Sequence, residues 1–298
     1  HSLGRQPGAT YLSTGFEEVR LSLAHIELAA HLYGPEDGVP VLALHGWLDN
    51  AASFARLAPK LEGLRIVALD FAGHGHSEHR SAGAGYALWD YAYDVLQVAE
   101  QFGWERFSIL GHSMGAITAV LLAGAMPERI ARLALIDGLV PFTGEAEQAP
   151  QKLGEALRAR QVLNDKRKPV YAEMARAVEA RMKGVGAVSR EAAELLAQRG
   201  LMPVPGGYTW RTDSRLTLPS PLRLSWAHAQ AFVRALQCPV SLVLAEQGMM
   251  GAQSAVRTLL QELPFEVHRL PGGHHLHLDD ETGAQLVADC FNPFLRLP

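Results

Sequence analysis

Short apolar runs alternate with longer amphipathic stretches along most of this chain. Residues 40–45, 65–69, 106–110 and 132–136 are nearly all apolar, which is typical of strands that are covered on both faces. Amphipathic stretches such as 86–102 separate them. Strands that alternate with helices predict an α/β protein with a mostly parallel central sheet and helices on both faces.

The amino-terminal part of the chain shows two other patterns. Residues 19–23 and 26–33 alternate apolar and polar positions, as the strands of a hairpin do. Residues 51–61 place apolar side chains on one helical face, and Asn50 precedes them as a suitable N-cap. We therefore expect a hairpin before the first buried strand and a helix after it.

The pattern changes between residues 141 and 236, where strand-like apolar runs are missing until residues 240–244. Three helical stretches take their place, at residues 145–164, 170–182 and 190–199. A helical insertion between two core strands is expected to cover a site as a cap. The predicted organisation is a core of residues 1–140 and 237–298 with a helical cap of residues 141–236.

Composition and charge exclude several classes of protein. The 298 residues carry a net charge of −4 and are 48% hydrophobic, and no basic patch suggests a nucleic-acid partner. No apolar run reaches the roughly 18 residues of a membrane-spanning helix. Cys238 and Cys290 form neither a disulfide framework nor a metal pattern, so we expect free thiols and a cytoplasmic location.

The sequence Gly111-His112-Ser113-Met114-Gly115 lies between a predicted strand and a predicted helix. In this context G-x-S-x-G is the signature of a nucleophile elbow. The two glycines let strand and helix pass closely while a sharp turn exposes the serine oxygen. Ser113 is therefore the predicted nucleophile, and the Met114 N–H is predicted to face a developing oxyanion.

Two further segments complete a possible site. The buried strand 40–45 leads into His45-Gly46-Trp47, where the Trp47 N–H is the predicted second oxyanion donor. The strand-like run 265–270 opens into a glycine-rich loop that contains His274 and His275. Because a serine elbow followed by a late histidine is the order found in α/β hydrolases, this loop is expected to supply the general base.

Four segments together resemble the serine hydrolase-like proteins of the α/β-hydrolase superfamily. They are LHGWLDNAASF (44–54), ALDFAGHGHS (68–77), FSILGHSMG (107–115) and GGHHLHLDD (272–280). The resemblance implies an α/β-hydrolase fold with a helical lid, a serine nucleophile and no cofactor. The superfamily pattern of Gly-His followed by an acidic residue favours His274 as the base, with Asp279 downstream and His275 as the alternative.

The triad acid departs from the commonest pattern of this superfamily. Many members carry it after the strand that follows the cap, where this chain has Gly248. Asp137 ends the strand before the cap, and the ends of neighbouring parallel strands can reach the same imidazole. Asp137 is the favoured acid, and Glu246 is the alternative.

The other histidines are interpreted without a metal. His275 and His277 lie beside His274, but no second ligand group stands at a familiar metal-binding spacing, so no metal is expected. His74 belongs to a glycine-rich stretch that is interpreted as an exposed polar loop, and Asp70 before it as a structural carboxylate.

The leading hypothesis is a serine hydrolase that cleaves carboxylic esters, with thioesters or amides as variants. The apolar side chains of the cap favour a small-molecule substrate with an apolar acyl or alkyl group. One alternative is other chemistry of the same triad, such as carbon–carbon bond hydrolysis or perhydrolysis. A catalytically weak binding protein is a further alternative, which Gly248 at the usual acid position motivates.

Overall fold

The computed structural model describes residues 3–5, 15–184 and 186–296. The apolar runs of the sequence form strands of one nine-stranded sheet, and two short strands form a separate hairpin. In chain order the strands are β1 (Leu3–Arg5), β2 (Phe16–Ser22), β3 (Glu27–Tyr33), β4 (Val39–Leu44), β5 (Leu64–Leu69), β6 (Phe107–His112), β7 (Ile130–Ile136), β8 (Leu201–Val204), β9 (Gly207–Trp210), β10 (Val240–Gln247) and β11 (Glu266–Gly273).

The large sheet has the order β1-β2-β3-β5-β4-β6-β7-β10-β11. The pairs from β5 to β11 are parallel, and β1, β2 and β3 are antiparallel at one edge. This arrangement confirms the predicted α/β class and the predicted hairpin. In a parallel sheet the carboxyl ends of the strands share one edge, so the loops after β4, β6, β7, β10 and β11 meet there.

Helices cover both faces of the sheet because successive side chains of each strand point to opposite sides. Along β4, Leu42 and Leu44 pack with the helices on one face, whereas Val41 and Ala43 pack with the last helix on the other. No helix in the described ranges is long and apolar enough to cross a membrane. The helices are α1 (Leu88–Phe102), α2 (Met114–Ala125), α3 (Ala149–Gln161), α4 (Met174–Met182), α5 (Arg190–Gly200), α6 (Trp226–Arg234), α7 (Ser254–Gln261), α8 (Leu276–Asp279) and α9 (Glu281–Leu295).

The inserted segment (residues 141–236) joins the neighbouring strands β7 and β10 and contains α3 to α6. It also contains the hairpin β8–β9, which the sequence analysis missed. The chain reverses at Gly206 and Gly207, whose φ angles of 92° and 143° suit glycine. The prolines and glycines there form a hairpin turn, so the expectation of a segment built from helices alone is wrong.

The prediction of one helix over residues 51–61 is also wrong. Two 3₁₀ turns, Ala51–Phe54 and Ala58–Lys60, take its place, although Asn50 does cap the first turn through the Ala52 N–H. The Ala51 N–H donates instead to a carboxylate of the next loop, 2.7 Å away. A tertiary contact therefore sets the start of this segment where helical periodicity predicted a continuous helix.

Candidate active site

The predicted elbow lies between β6 and α2, with Ser113 at φ 54° and ψ −120°. A Cβ on Gly115 would lie 2.1 Å from the Leu44 carbonyl oxygen, and one on Gly111 would lie 2.6 Å from the Ala116 Cα. Neither position can hold a side chain without moving backbone atoms. The close approach that the sequence pattern predicted is therefore confirmed, and it holds Ser113 in a strained conformation.

A chain of hydrogen bonds runs from the elbow serine into the protein. The His274 Nε2 lies 2.9 Å from the Ser113 Oγ, and the His274 Nδ1–H donates to the Asp137 Oδ2 over 2.5 Å. His274 is 9% exposed and Asp137 is 1% exposed. The structure thus brings together the three residues that the sequence analysis favoured, in the geometry of a nucleophile, a base and an orienting acid.

Asp137 follows β7 directly and has a φ of 44°. Its carboxylate accepts hydrogen bonds from the Ala245 N–H at 3.2 Å and the Met249 N–H at 3.0 Å. Glu246, the alternative acid, is exposed at the end of β10. Backbone donors from the end of β10 and its following loop therefore hold a carboxylate that the end of β7 supplies.

Gly248 lies against this carboxylate. A Cβ at that position would be 2.6 Å from the Asp137 Oδ2 and 2.8 Å from the Oδ1. The Asp137 side chain thus fills the space that a side chain at residue 248 would need. The absence of an acid at the usual position has a steric explanation, because two carboxylates do not fit there.

The backbone of the two predicted oxyanion donors lies beside Ser113. Met114 is the first residue of α2, and the first N–H groups of a helix have no acceptor within it. Gly46, which precedes Trp47, approaches so closely that a Cβ on it would lie 3.2 Å from the Ser113 Cβ. The Trp47 indole N–H donates to the Leu216 carbonyl of the inserted segment over 2.8 Å.

Two buried histidines, His45 and His74, fix the loop after β4, and the sequence analysis had not assigned His45 a role. The His45 Nδ1–H donates to the Gly46 carbonyl over 2.7 Å, and its Nε2 accepts from the Phe71 N–H at 3.0 Å. The His74 Nε2 accepts from the N–H of Leu48 at 3.1 Å. Burial, and then the nearby His45, lower the pKa of His74 to about 3. The interpretation of His74 as part of an exposed loop is therefore wrong.

His275 belongs to a second histidine–aspartate pair. Its Nε2 lies 2.7 Å from the Asp49 Oδ2, and the Arg181 guanidinium donates to the other Asp49 oxygen over 2.9 Å. Burial would raise the pKa of Asp49, but the charges and hydrogen bonds of His275 and Arg181 lower it well below its ordinary value. Because Arg181 belongs to α4, this pair ties the inserted segment to the loop after β4, the predicted oxyanion loop that contains Trp47 and Asp49.

Asp49, His112 and His275 bring one ligand atom each to within 4.8 Å of one another, a spacing that a metal ion can bridge. The Arg181 guanidinium already neutralises Asp49 at this place. His112 donates its Nε2–H to the His274 carbonyl over 2.7 Å, and burial keeps its pKa well below the ordinary value. The geometry therefore favours a neutral packing histidine beside an ion pair over a metal centre.

Asp70 connects three parts of the structure, in line with its predicted structural role. It accepts from the N–H groups of Ala51 at 2.7 Å and His76 at 2.9 Å, and it pairs with Arg199 of α5 at 2.8 Å. Burial opposes ionisation of Asp70, but Arg199 and the backbone donors lower the pKa of this carboxyl well below its ordinary value. Its sequence signal was a carboxylate directly after a buried strand.

A cavity of about 640 Å³ opens above Ser113 between the core and the inserted segment. This volume lies within the range of small-molecule sites. Its wall is mainly apolar, and the side chains of this kind include Trp47, Leu88, Ile117, Ala156, Leu157 and Met249. The arrangement can therefore place an apolar ligand beside the serine.

Comparison with known proteins agrees with this architecture. The chain matches the family model of the alpha/beta hydrolase fold over residues 39–281, which defines the class of the protein. It is 32% identical over 302 residues to human "Serine hydrolase-like protein 2", an alignment covering 94% of each chain. A serine hydrolase-like protein of Dictyostelium discoideum is 34% identical over 290 residues, which cover 89% of this chain and 79% of that protein. The chain therefore belongs to the serine hydrolase-like family of the α/β-hydrolase superfamily.

A solved structure supports the same fold at higher identity. The crystal structure of a hypothetical protein from Pseudomonas aeruginosa PAO1 is 76% identical, with a TM-score of 0.92. The alignment covers 93% of this chain and 98% of that one. The family match and the serine hydrolase-like relatives together support a hydrolase.

Proposed function

We propose that this protein is a serine hydrolase that cleaves carboxylic esters through an acyl-enzyme on Ser113. The observation that carries the proposal is the continuous hydrogen-bond chain from Ser113 through His274 to Asp137, with distances of 2.9 and 2.5 Å. A serine hydroxyl is a weak nucleophile until a neighbouring base can take its proton. The same serine could also cleave thioesters or amides of suitable shape.

Acylation uses each group in its observed position. The Ser113 Oγ bonds to the ester carbonyl carbon while the His274 Nε2 takes the hydroxyl proton. Asp137 holds the Nδ1–H and stabilises the imidazolium. The N–H groups of Trp47 and Met114 bind the oxyanion. The carbon–oxygen bond to the leaving alcohol then breaks, and His274 donates its proton to that alcohol.

Deacylation repeats these steps with water. His274 takes a proton from water, the resulting hydroxide equivalent attacks the acyl carbon, and the bond to the Ser113 oxygen breaks. The imidazolium returns its proton to the serine oxygen, which releases a carboxylic acid. Ester and water are thus converted to acid and alcohol without a cofactor or a metal.

The inserted segment is proposed to act as a cap that shields the acyl-enzyme. Trp47 and Arg181 support this role, because each links the oxyanion loop to that segment by a hydrogen bond. The largely apolar cavity wall favours an apolar acyl or alkyl group in the substrate.

The steric fit between Gly248 and Asp137 argues against the alternative of a weak binding protein. That alternative depended on a missing acid, and Asp137 lies where it can orient the base. Carbon–carbon bond hydrolysis and perhydrolysis use the same groups, and no contact among the described residues of the site favours them over ester cleavage. The cytoplasmic location stays a prediction that cell fractionation can test.

A series of 4-nitrophenyl esters, from acetate to long acyl chains, tests the proposal. Wild-type protein should turn over at least one chain length, and Ser113→Ala should reduce kcat to the background rate while the fold is retained. The serine-directed reagent fluorophosphonate should label the wild type and not the variant. Equal turnover by both proteins would refute the role of Ser113.

A further inference from the structure

The cavity above Ser113 is more positive than the protein as a whole. The chain has a net charge of −4, yet among the residues that the structure describes, the charged side chains of the cavity wall, histidines aside, are four arginines and one carboxylate. They are Asp49, Arg160, Arg181, Arg215 and Arg223. An apolar cavity with an excess of guanidinium groups raises the local concentration of anions.

Two of these arginines are neutralised by carboxylates. The Arg181 guanidinium pairs with Asp49 at 2.9 Å. Arg215 pairs with Asp213 at 2.7 Å and also donates to backbone carbonyls, including that of Ala84 at 2.8 Å. Their charges are therefore compensated within the protein, and they contribute little to the attraction of an anion.

The other two arginines have no such compensation. In the described part of the chain, neither Arg160 nor Arg223 has a carboxylate oxygen within 4.0 Å of its guanidinium. Arg160 donates to the Gly83 carbonyl over 2.8 Å, and the Arg223 guanidinium lies 5.9 Å from the centre of the Phe142 ring. Each is thus held by a neutral contact that leaves its full charge beside the cavity.

We propose that the substrate carries an anionic group, a carboxylate or a phosphate, that Arg160 and Arg223 bind while its apolar part lies in the cavity. This inference rests on the proposed ester hydrolysis at Ser113. Guanidinium groups suit both anions because they can form paired charge-assisted hydrogen bonds. Exposed apolar side chains at the same wall, Leu157 and Leu222, then contact the adjoining hydrocarbon.

Two matched esters test the charge preference directly. 4-Nitrophenyl octanoate is neutral, whereas 3-carboxy-4-nitrophenyl octanoate carries a carboxylate on an otherwise identical frame. We expect a higher kcat/KM for the anionic ester at low salt, and the preference should weaken as sodium chloride screens the arginines. Octanoyl coenzyme A, assayed by release of its thiol, distinguishes a phosphate-bearing substrate from a carboxylate-bearing one.

Variants locate the preference. Arg160→Gln and Arg223→Gln should each lower the anionic-to-neutral ratio of kcat/KM by about fivefold, the upper end for an accessible ion pair. Arg160→Glu should lower it further. Arg158→Gln is the matched control, because Arg158 is exposed on the same helix but is not part of the cavity wall. Thermal unfolding of each variant verifies the fold.

The outcomes separate this inference from the proposed function. Equal kcat/KM for both esters in the wild type, or an unchanged ratio in both glutamine variants, would overturn the anionic site. Absence of Ser113-dependent turnover on every ester would overturn the hydrolase proposal. In that event, calorimetric titration of Ser113→Ala with the two esters decides the binding site alone, and equal Kd values would refute it.

Discussion

The contact between Gly248 and Asp137 gives the sharpest test of the proposed triad. In Gly248→Ala the new Cβ would lie 2.6 Å from the Asp137 Oδ2, so the carboxylate must withdraw by about 0.8 Å to reach an ordinary contact of 3.4 Å. The bond to the His274 Nδ1, now 2.5 Å long, would lose its alignment. A misplacement near 1 Å costs about 10²-fold in rate, and complete loss of the acid about 10⁴-fold.

We therefore expect kcat of Gly248→Ala to fall by about 10²-fold on a 4-nitrophenyl ester, with stability reduced by about 1–3 kcal/mol through overpacking. Gly251→Ala is the matched control, because the nearest atom to its Cβ would be 3.7 Å away. Thermal unfolding separates a misfolded variant from a misaligned one. A kcat within twofold of the wild type in folded Gly248→Ala would refute the steric reasoning.

The same geometry predicts that the acid can be moved between strands. Asp137→Gly tolerates the φ of 44° at that position and empties the space beside residue 248. Adding Gly248→Asp should then raise kcat at least about tenfold above that of Asp137→Gly, because the new carboxylate can occupy the space that the Asp137 side chain filled. If the double variant is no more active than Asp137→Gly, the two positions are not interchangeable.

Three further predictions concern the network around the site. Arg181→Met should lower kcat by about tenfold by releasing the oxyanion loop, and unchanged steady-state kinetics would contradict this. Arg199→Met should lower the free energy of unfolding by about 3–5 kcal/mol at pH 7, because it leaves the buried Asp70 carboxylate without its positive partner. The pKa of Asp70 is depressed, so the pairing contributes fully above about pH 4 and is lost as the pH falls further. Urea unfolding of the wild type and of Arg199→Met should therefore show a difference in the free energy of unfolding that narrows below that pH. Because the pKa of His74 is lowered to about 3, its contribution to stability is full above about pH 6.5 and falls by about 1.4 kcal/mol per pH unit below it. In His74→Gln the free energy of unfolding should change less steeply with pH between pH 7 and 5.5 than in the wild type. Identical slopes for the two proteins would contradict the interpretation of His74 as a buried neutral histidine.

Features that depend on local geometry could be predicted from the sequence. The glycines around Ser113 report a close approach of strand and helix, and that approach is a property of a few adjacent residues. Apolar runs such as β4 report burial on both faces of a sheet. Asp137 could be proposed as the partner of His274 for a related reason, since neighbouring parallel strands bring their carboxyl ends to one edge. His274 itself was favoured over His275 by the family pattern of Gly-His followed by an acidic residue.

Features that depend on distant partners could not be predicted in the same way. The start of the 51–61 segment is set by Asp70, and the burial of His74 is set by packing against the loop after β4. Neither partner is visible in a local pattern. The hairpin β8–β9 had a turn signal, but its strands are too short to show the alternation that identifies longer ones.

Gly248 shows how a residue that suggests a missing acid can belong to a site whose carboxylate comes from another strand. Considered alone, Gly248 indicates a missing carboxylate at the end of β10. The structure shows that this space is filled from β7, where Asp137 receives hydrogen bonds from the backbone of the β10 end and its following loop. A carboxylate at one position therefore requires a small residue at the other. We infer that positions 137 and 248 form one steric unit, and that an acid at either one has to be interpreted together with the residue at its partner.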